Sequence, residues 1–203
     1  MTFQEKMKAL LATLRGVSLD ATVTAKAAAT LVANSVSNIG NIKFRNVYRF
    51  ECFDANGNLK WVEEVPNQVM TAGVNDLLTQ YFKGSAYTAT FYVGLVDNAS
   101  FSAYAAADTM ASHAGWLEST AYSNANRPTL TLGTPASGSV DNSASKAVFN
   151  INATATILGA FVVTNNTKGG TSGTLFGAAS FSGGSRAVQN GDTLNVTITL
   201  SAS

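Results

Sequence analysis

The spacing of apolar residues predicts a helix at the start of the chain. These residues recur on one helix face, at Phe3, Met7, Leu10, Leu11 and Leu14. Thr2 and Glu5 fit a capping box, and Gly16 stands where a helix ends. The stripe allows two interpretations: the helix packs on its own domain, or it is an arm that docks on a neighbouring subunit. The five apolar residues are the candidate interface.

The stretch that follows has a weaker pattern. The alanine-rich residues 24–34 favour a helix, whereas their threonine and valine content weakens that preference. Residues 19–39 are therefore predicted to form a helix or a partly ordered linker. We divide the chain into a helical N-terminal arm and linker over residues 1–41 and a β-rich body over residues 42–203.

The body begins with a predicted β-hairpin over residues 42–65. Alternation places Phe44, Tyr48, Phe50 and Cys52 on one face of its first strand. Residues 54–58 have turn chemistry, and the next residues return as the second strand. The turn partly matches a calcium-binding loop but lacks the required glycine and glutamate spacing. A plain turn is therefore predicted.

After a short helix, the pattern becomes β-like to the end of the chain. The helix is predicted over residues 71–82, with an apolar face at Val74, Leu77, Leu78 and Tyr81. Strand-like runs follow at residues 88–96, 148–152, 157–164, 174–181 and 192–200. The continuously apolar run at residues 157–164 predicts a central strand that is buried on both faces. In the long connection between the first two runs, residues 105–112 are predicted to form one or two helical turns.

This succession predicts a mainly β fold. Many short strands separated by Gly-, Asn- and Ser-rich turns are typical of an antiparallel β-sandwich. We expect a jelly-roll-like sandwich with the N-terminal amphipathic helix and one or two short helices added.

Composition makes nucleic acid and membranes poor candidate partners. Charged residues make up 12% of the 203 residues, about half the ~25% of an average globular chain, and the net charge is +1. No stretch approaches the ~18 apolar residues of a membrane helix, and the N-terminus lacks the pattern of a signal peptide. We therefore expect synthesis and folding in the cytoplasm. The charge is uneven, because residues 1–64 hold 8 basic and 6 acidic residues and the remainder only 5 and 6.

No residue pattern predicts an enzyme, a cofactor or a metal site. The single histidine, His113, has no nucleophile at a spacing that suggests a catalytic triad. The single cysteine, Cys52, is predicted to be buried and inert on the apolar face of the first strand. Trp61, Trp116 and Tyr122 could line a sugar-binding groove, but a role in filling the core is favoured.

Several segments of the body resemble a family of small tailed-bacteriophage structural proteins. The resemblance begins with the run DANGNLKWVEE at residues 54–64. It continues through Asn67, residues 73–78, 91–97 and 108–116, Tyr122, Arg127, Pro128, and residues 151–156, 159–161, 168–176 and 191–197. These segments cover roughly residues 50–200, whereas residues 1–41 show no such match.

The resemblance implies a virion component without catalytic activity that is assembled in the host cytoplasm. The expected role is a capsid decoration, or cement, protein that binds the major capsid protein and copies of itself and stabilises the head. The alternative role is a tail protein, or a receptor- or carbohydrate-binding virion protein. Its partners would then be tail proteins or a host surface glycan. The resemblance implies no catalytic or cofactor-binding residue.

Overall fold

A computed structural model describes residues 44–84 and 90–202 of the chain. The predicted N-terminal helix, its five interface residues and the following linker lie outside the described residues. The boundary between arm and body near residue 41 therefore stays a prediction.

The described chain is mainly β, as predicted. Its strands are β1 (Phe44–Phe53), β2 (Leu59–Pro66), β3 (Gln68–Val69), β4 (Tyr92–Asp97), β5 (Leu117–Ser119), β6 (Ser139–Asp141), β7 (Ala147–Asn150), β8 (Ala155–Val163), β9 (Leu175–Ser180), β10 (Arg186–Val188) and β11 (Thr193–Ala202). The helix α1 (Thr71–Phe82) has the predicted bounds, and a single 3-10 turn spans Ser143–Ser145.

The strands form two antiparallel sheets. The first sheet has the order β2-β1-β11-β6, and β7 also pairs with β11. The second has the order β3-β9-β8-β4-β5, and β10 also pairs with β8. The predicted hairpin is confirmed as β1 and β2. Its turn is a plain one, because the Asp54 carboxylate accepts the backbone N–H groups of Asn56 and Asn58, each at 2.8 Å.

One buried cluster joins the two sheets. Alternate residues of β1, such as Tyr48 and Phe50, lie in the same cluster as Val93 and Leu95 of β4. The strand β8 is buried on both faces, as predicted. Ile157, Ala160 and Val162 of β8 contribute to this shared cluster. Phe161 and Val163 of β8 belong to a second cluster with Met70 and Trp116.

The predicted helical turns at residues 105–112 are wrong. Asp108 donates its backbone N–H to the Ala105 carbonyl at 2.9 Å, which closes a turn, and Thr109 and Ser112 form an isolated bridge. The Asp108 carboxylate also accepts the indole N–H of Trp116 at 3.0 Å. Because Trp116 is buried, this contact draws the segment to the second cluster, and helix propensity does not decide its conformation.

A buried ion pair fixes the loops at one end of the second sheet. Arg127 donates from Nε and Nη2 to the two carboxylate oxygens of Glu118, at 2.9 and 2.7 Å. The Arg127 side chain is fully buried, and Nη1 and Nη2 also donate to the carbonyls of Asn165 and Gly170. The backbone N–H of Gly169 donates to Glu118 at 2.8 Å. Each charge is thus both paired and hydrogen-bonded, which is the condition for burying it at tolerable cost.

Replacing Arg127 with methionine is expected to lower the free energy of unfolding by about 3–5 kcal/mol, because Glu118 would remain buried without its counter-charge. Urea denaturation followed by tryptophan fluorescence measures this loss. Arg49→Met is the matched control: Arg49 pairs with Glu51 and Glu64 but is half exposed. Its replacement should cost less than about 1 kcal/mol. Equal losses in the two variants would contradict the assignment.

Candidate interaction surface

The helix α1 approaches the second sheet through a glycine. Gly73 is the buried residue of α1 and lies against Phe176 of β9, where an added Cβ would stand 2.6 Å from the Phe176 carbonyl oxygen. Met70, which precedes the helix, donates its N–H to the same carbonyl at 2.9 Å. Because a side chain at position 73 would push the helix away, glycine sets how closely α1 approaches the sheet.

The large apolar side chains of α1 are not buried by this contact. The predicted apolar face exists, but Leu78 is 45% exposed and Tyr81 is 80% exposed. Phe82, in edge contact with the Tyr81 ring, is 66% exposed. An exposed cluster of large apolar residues of this kind marks an interaction surface more often than isolated apolar residues do.

A groove lies beside this exposed face. Its apolar walls are formed by Leu77, Tyr81, Phe91, Leu130, Val162, Phe176 and Leu200. Asp76 and Gln80 complete the lining, and the cavity volume is about 280 Å³. We call this cavity, with its lining residues, the α1 groove.

The part of the groove formed by Leu130 and Phe91 is held by backbone pairing next to Arg127. Val93 donates its N–H to the Pro128 carbonyl at 2.9 Å, and Leu130 donates to the Phe91 carbonyl at 2.8 Å. The segment after Arg127 is therefore aligned with the start of β4. This alignment places Leu130 and Phe91 together in the groove, and the Phe91 ring contacts Phe176 edge-on.

A second, polar depression is lined in part by β5. Its lining includes Asp97, Asn98, Glu118, Asn152 and Thr156. Glu118 is already committed to Arg127. None of the described residues that line this depression is aromatic, so it lacks the flat surface on which sugar rings stack.

The aromatic residues considered for a sugar groove lie in the core. Trp116 and Tyr122 are fully buried, which confirms the core-filling interpretation for both. Trp61 is half-buried and packs edge-on against Phe181. Burial raises the pKa of Tyr122, whose hydroxyl lies 3.4 Å from the Glu118 carboxylate.

His113 lies in a turn beside Trp116. Its Nδ1 is 3.0 Å from the Trp116 carbonyl oxygen, and its ring stacks on the indole with centroids 4.1 Å apart. This placement is the one expected of a structural histidine. In the part of the chain that the structure describes, no three histidine, cysteine, aspartate or glutamate side chains gather into a potential metal site.

Cys52 is buried, as predicted. Burial raises the pKa of its thiol to about 12, and the adjacent Asp192 carboxylate acts in the same direction. Lys60 pairs with Asp192 at 2.5 Å and partly offsets that charge. The thiol therefore stays protonated at neutral pH and is a poor nucleophile.

The chain matches no protein-family model and no curated protein. Within residues 44–84 and 90–202, no helix has the length and apolar character needed to span a membrane. The resemblance to tailed-bacteriophage structural proteins therefore stays a prediction.

Sequence reasoning found the helix of this surface but not the groove. The lining residues come from α1, β8, β9, β11 and two connecting segments, and their convergence depends on the pairing of the strands.

The sequence analysis also did not predict the Glu118–Arg127 pair. The signal in the sequence was Arg127 itself, an arginine that stands next to Pro128 in a segment with few charges.

We expect Cys52 to resist alkylation in the folded protein. At about pH 8, near the ordinary pKa of an exposed cysteine, a raised pKa leaves almost no thiolate to react. Reaction with a chromogenic disulfide reagent should be slow in buffer and complete in denaturant.

The variant Tyr81→Cys supplies the control, because its new thiol replaces a side chain that is 80% exposed. It should react with one thiol per chain without denaturant. Rapid reaction of the unmodified folded protein would contradict the buried placement of Cys52.

Proposed function

We propose that the chain is a non-enzymatic structural protein of a tailed-bacteriophage virion, specifically a capsid decoration (cement) protein. Its partners are the major capsid protein and copies of itself, and it assembles into the virion in the host cytoplasm. We further propose that the two antiparallel sheets form a jelly-roll-like β-sandwich, which the shared core cluster and the pairing of β1 with β11 support.

The observation that carries the proposal is the apolar surface that α1 and the α1 groove expose among the described residues. Leu78, Tyr81 and Phe82 are exposed on a helix that stands beside a largely apolar cavity. A structural protein that works by adhesion needs such a surface, because burial of apolar area supplies most of the binding free energy. The low charge of the body suits contacts repeated over many copies, where each contact is weak and avidity adds to the total.

The resemblance of residues 50–200 to tailed-bacteriophage structural proteins supplies the virion context. A tail or receptor-binding role is the alternative within that context. A glycan-binding role has less support from the structure, because Trp116 and Tyr122 are buried and the polar depression has no aromatic lining among the described residues.

Immunogold electron microscopy tests the location. Antibodies raised against the body are applied to purified phage particles from a host that carries the gene. Gold on the head shell is the expected result. Gold confined to the tail would favour the alternative, and particles without gold would overturn the virion proposal.

Loss of the protein should also weaken the head. We expect particles that lack the chain to release DNA at a lower temperature, and purified chain to restore the original temperature. A dye that reports released DNA measures both. The double variant Tyr81→Ser/Phe82→Ser should restore less, whereas Leu59→Ser, which removes an exposed apolar residue outside the α1 groove, should restore fully. Equal rescue by both variants would show that α1 is not the contact surface.

A further inference from the structure

The α1 groove is shaped for apolar side chains delivered by another element. Its volume is about 280 Å³, and the described residues that line it are apolar except for Asp76 and Gln80. A cavity of 150 Å³ in a protein core holds one benzene ring, so this groove accommodates about two large side chains. The exposed face of α1 continues the apolar surface beyond the cavity. This combination fits an amphipathic helix that inserts two anchors and lays its remaining apolar face along α1.

The chain itself carries a segment with this pattern. The predicted stripe over residues 3–14 offers neighbouring anchors such as Leu10, Leu11 and Leu14. Lys6, Lys8 and Arg15 give the segment a positive charge against the single acid Glu5. Asp76 is the charged residue among the described residues of the groove lining, so its charge is complementary to that of the segment.

The length of chain before β1 allows a second copy to supply the segment. β1 begins at Phe44, which pairs with Ala202, and Leu200, two residues earlier on β11, lines the groove. The chain therefore enters the body beside the groove, and a segment that folded back into its own groove would need only a short connection. Roughly 30 residues separate position 14 from Phe44. They span about 40 Å even if they are fully helical and up to about 100 Å if extended.

A domain of about 160 residues is on the order of 40 Å across. The connection is thus long enough to reach the groove of an adjacent copy. We propose that the α1 groove binds the apolar stripe of residues 3–14 from a second copy of this chain. This inference rests on the proposed function in that it needs copies held side by side, and it assigns the five candidate interface residues a receptor on the body.

Cross-linking between two different full-length variants tests the proposal. Leu10→Cys is mixed with a size-tagged Tyr81→Cys, oxidised mildly, quenched with N-ethylmaleimide and run on a non-reducing gel. We expect a mixed disulfide between the two chains. The control partner is Leu59→Cys, which lies on β2 outside the groove and replaces a residue that is 56% exposed. Its yield should be lower by on the order of tenfold, because only a docked segment raises the local thiol concentration.

Two outcomes would overturn the proposal. The first is an equal yield with Leu59→Cys and Tyr81→Cys, since random collision then explains the product. The second is a disulfide within one chain of the double variant Leu10→Cys/Tyr81→Cys that remains on dilution, since the segment then occupies its own groove.

A charge placed on either face of the segment adds a matched pair of variants. In the Leu10→Cys background, Leu11→Asp should reduce the mixed disulfide strongly, because position 11 belongs to the apolar stripe. Ala12→Asp carries the same charge on the opposite face and should leave most of the product. Equal effects of the two would count against docking through the stripe. The gels test the contact between copies, whereas the gold labelling tests the location in the virion. Each of the two proposals can therefore fail without the other.

Discussion

The buried pair of Arg127 and Glu118 is the constraint on which the shape of the candidate surface depends. The guanidinium donates to the Glu118 carboxylate and to two backbone carbonyls of the connection between β8 and β9, so it ties that connection to the segment after β5. A charge without a partner at this depth would cost several kcal/mol, which leaves the segments few alternative arrangements. Pro128 follows at once and accepts the N–H of Val93. The pairing that starts there places Leu130 beside Phe91, and these two residues form one wall of the α1 groove.

The wall formed by α1 depends on a different physical cause, the close approach of α1 to β9 at Gly73. A helix usually covers a sheet with its bulky apolar stripe. Here the residue in closest contact has no side chain, and the helix is held by backbone proximity near its first turn. Leu78, Tyr81 and Phe82 lie beyond that contact toward the other end of the helix. The pairing of Leu130 with Phe91 and the glycine at position 73 thus produce a cavity with an exposed apolar border.

These two causes explain how far the sequence could be read. Strands of six or more residues show enough alternation, or in β8 a long enough apolar run, to be recognised, and β1, β2, β4, β8, β9 and β11 were all predicted. β3, β6 and β10 have two or three residues and no readable period, so only partners across the sheet define them. The helix α1 was predicted because periodicity identifies which face is apolar. Periodicity does not say whether anything covers that face, and the groove combines residues as distant as Leu77 and Leu200. Arg127 shows the same limit: composition reveals an isolated charge, but only the fold shows that Glu118 and two carbonyls surround it.

The proposed contact, in which each copy gives one segment and offers one groove, has a definite consequence for assembly. It is a heterologous contact, because the two surfaces differ. Such contacts close into a ring only if the rotation between neighbouring copies closes, and otherwise they form an open array of copies. A connection of roughly 30 residues makes the contact less dependent on one fixed rotation, because the segment can then reach a groove at different distances between copies. A capsid shell presents its subunits in environments that are not strictly identical. A tethered apolar segment meets that condition better than a rigid interface of the same area, because variation in spacing is taken up by the tether and the seated contact is unchanged.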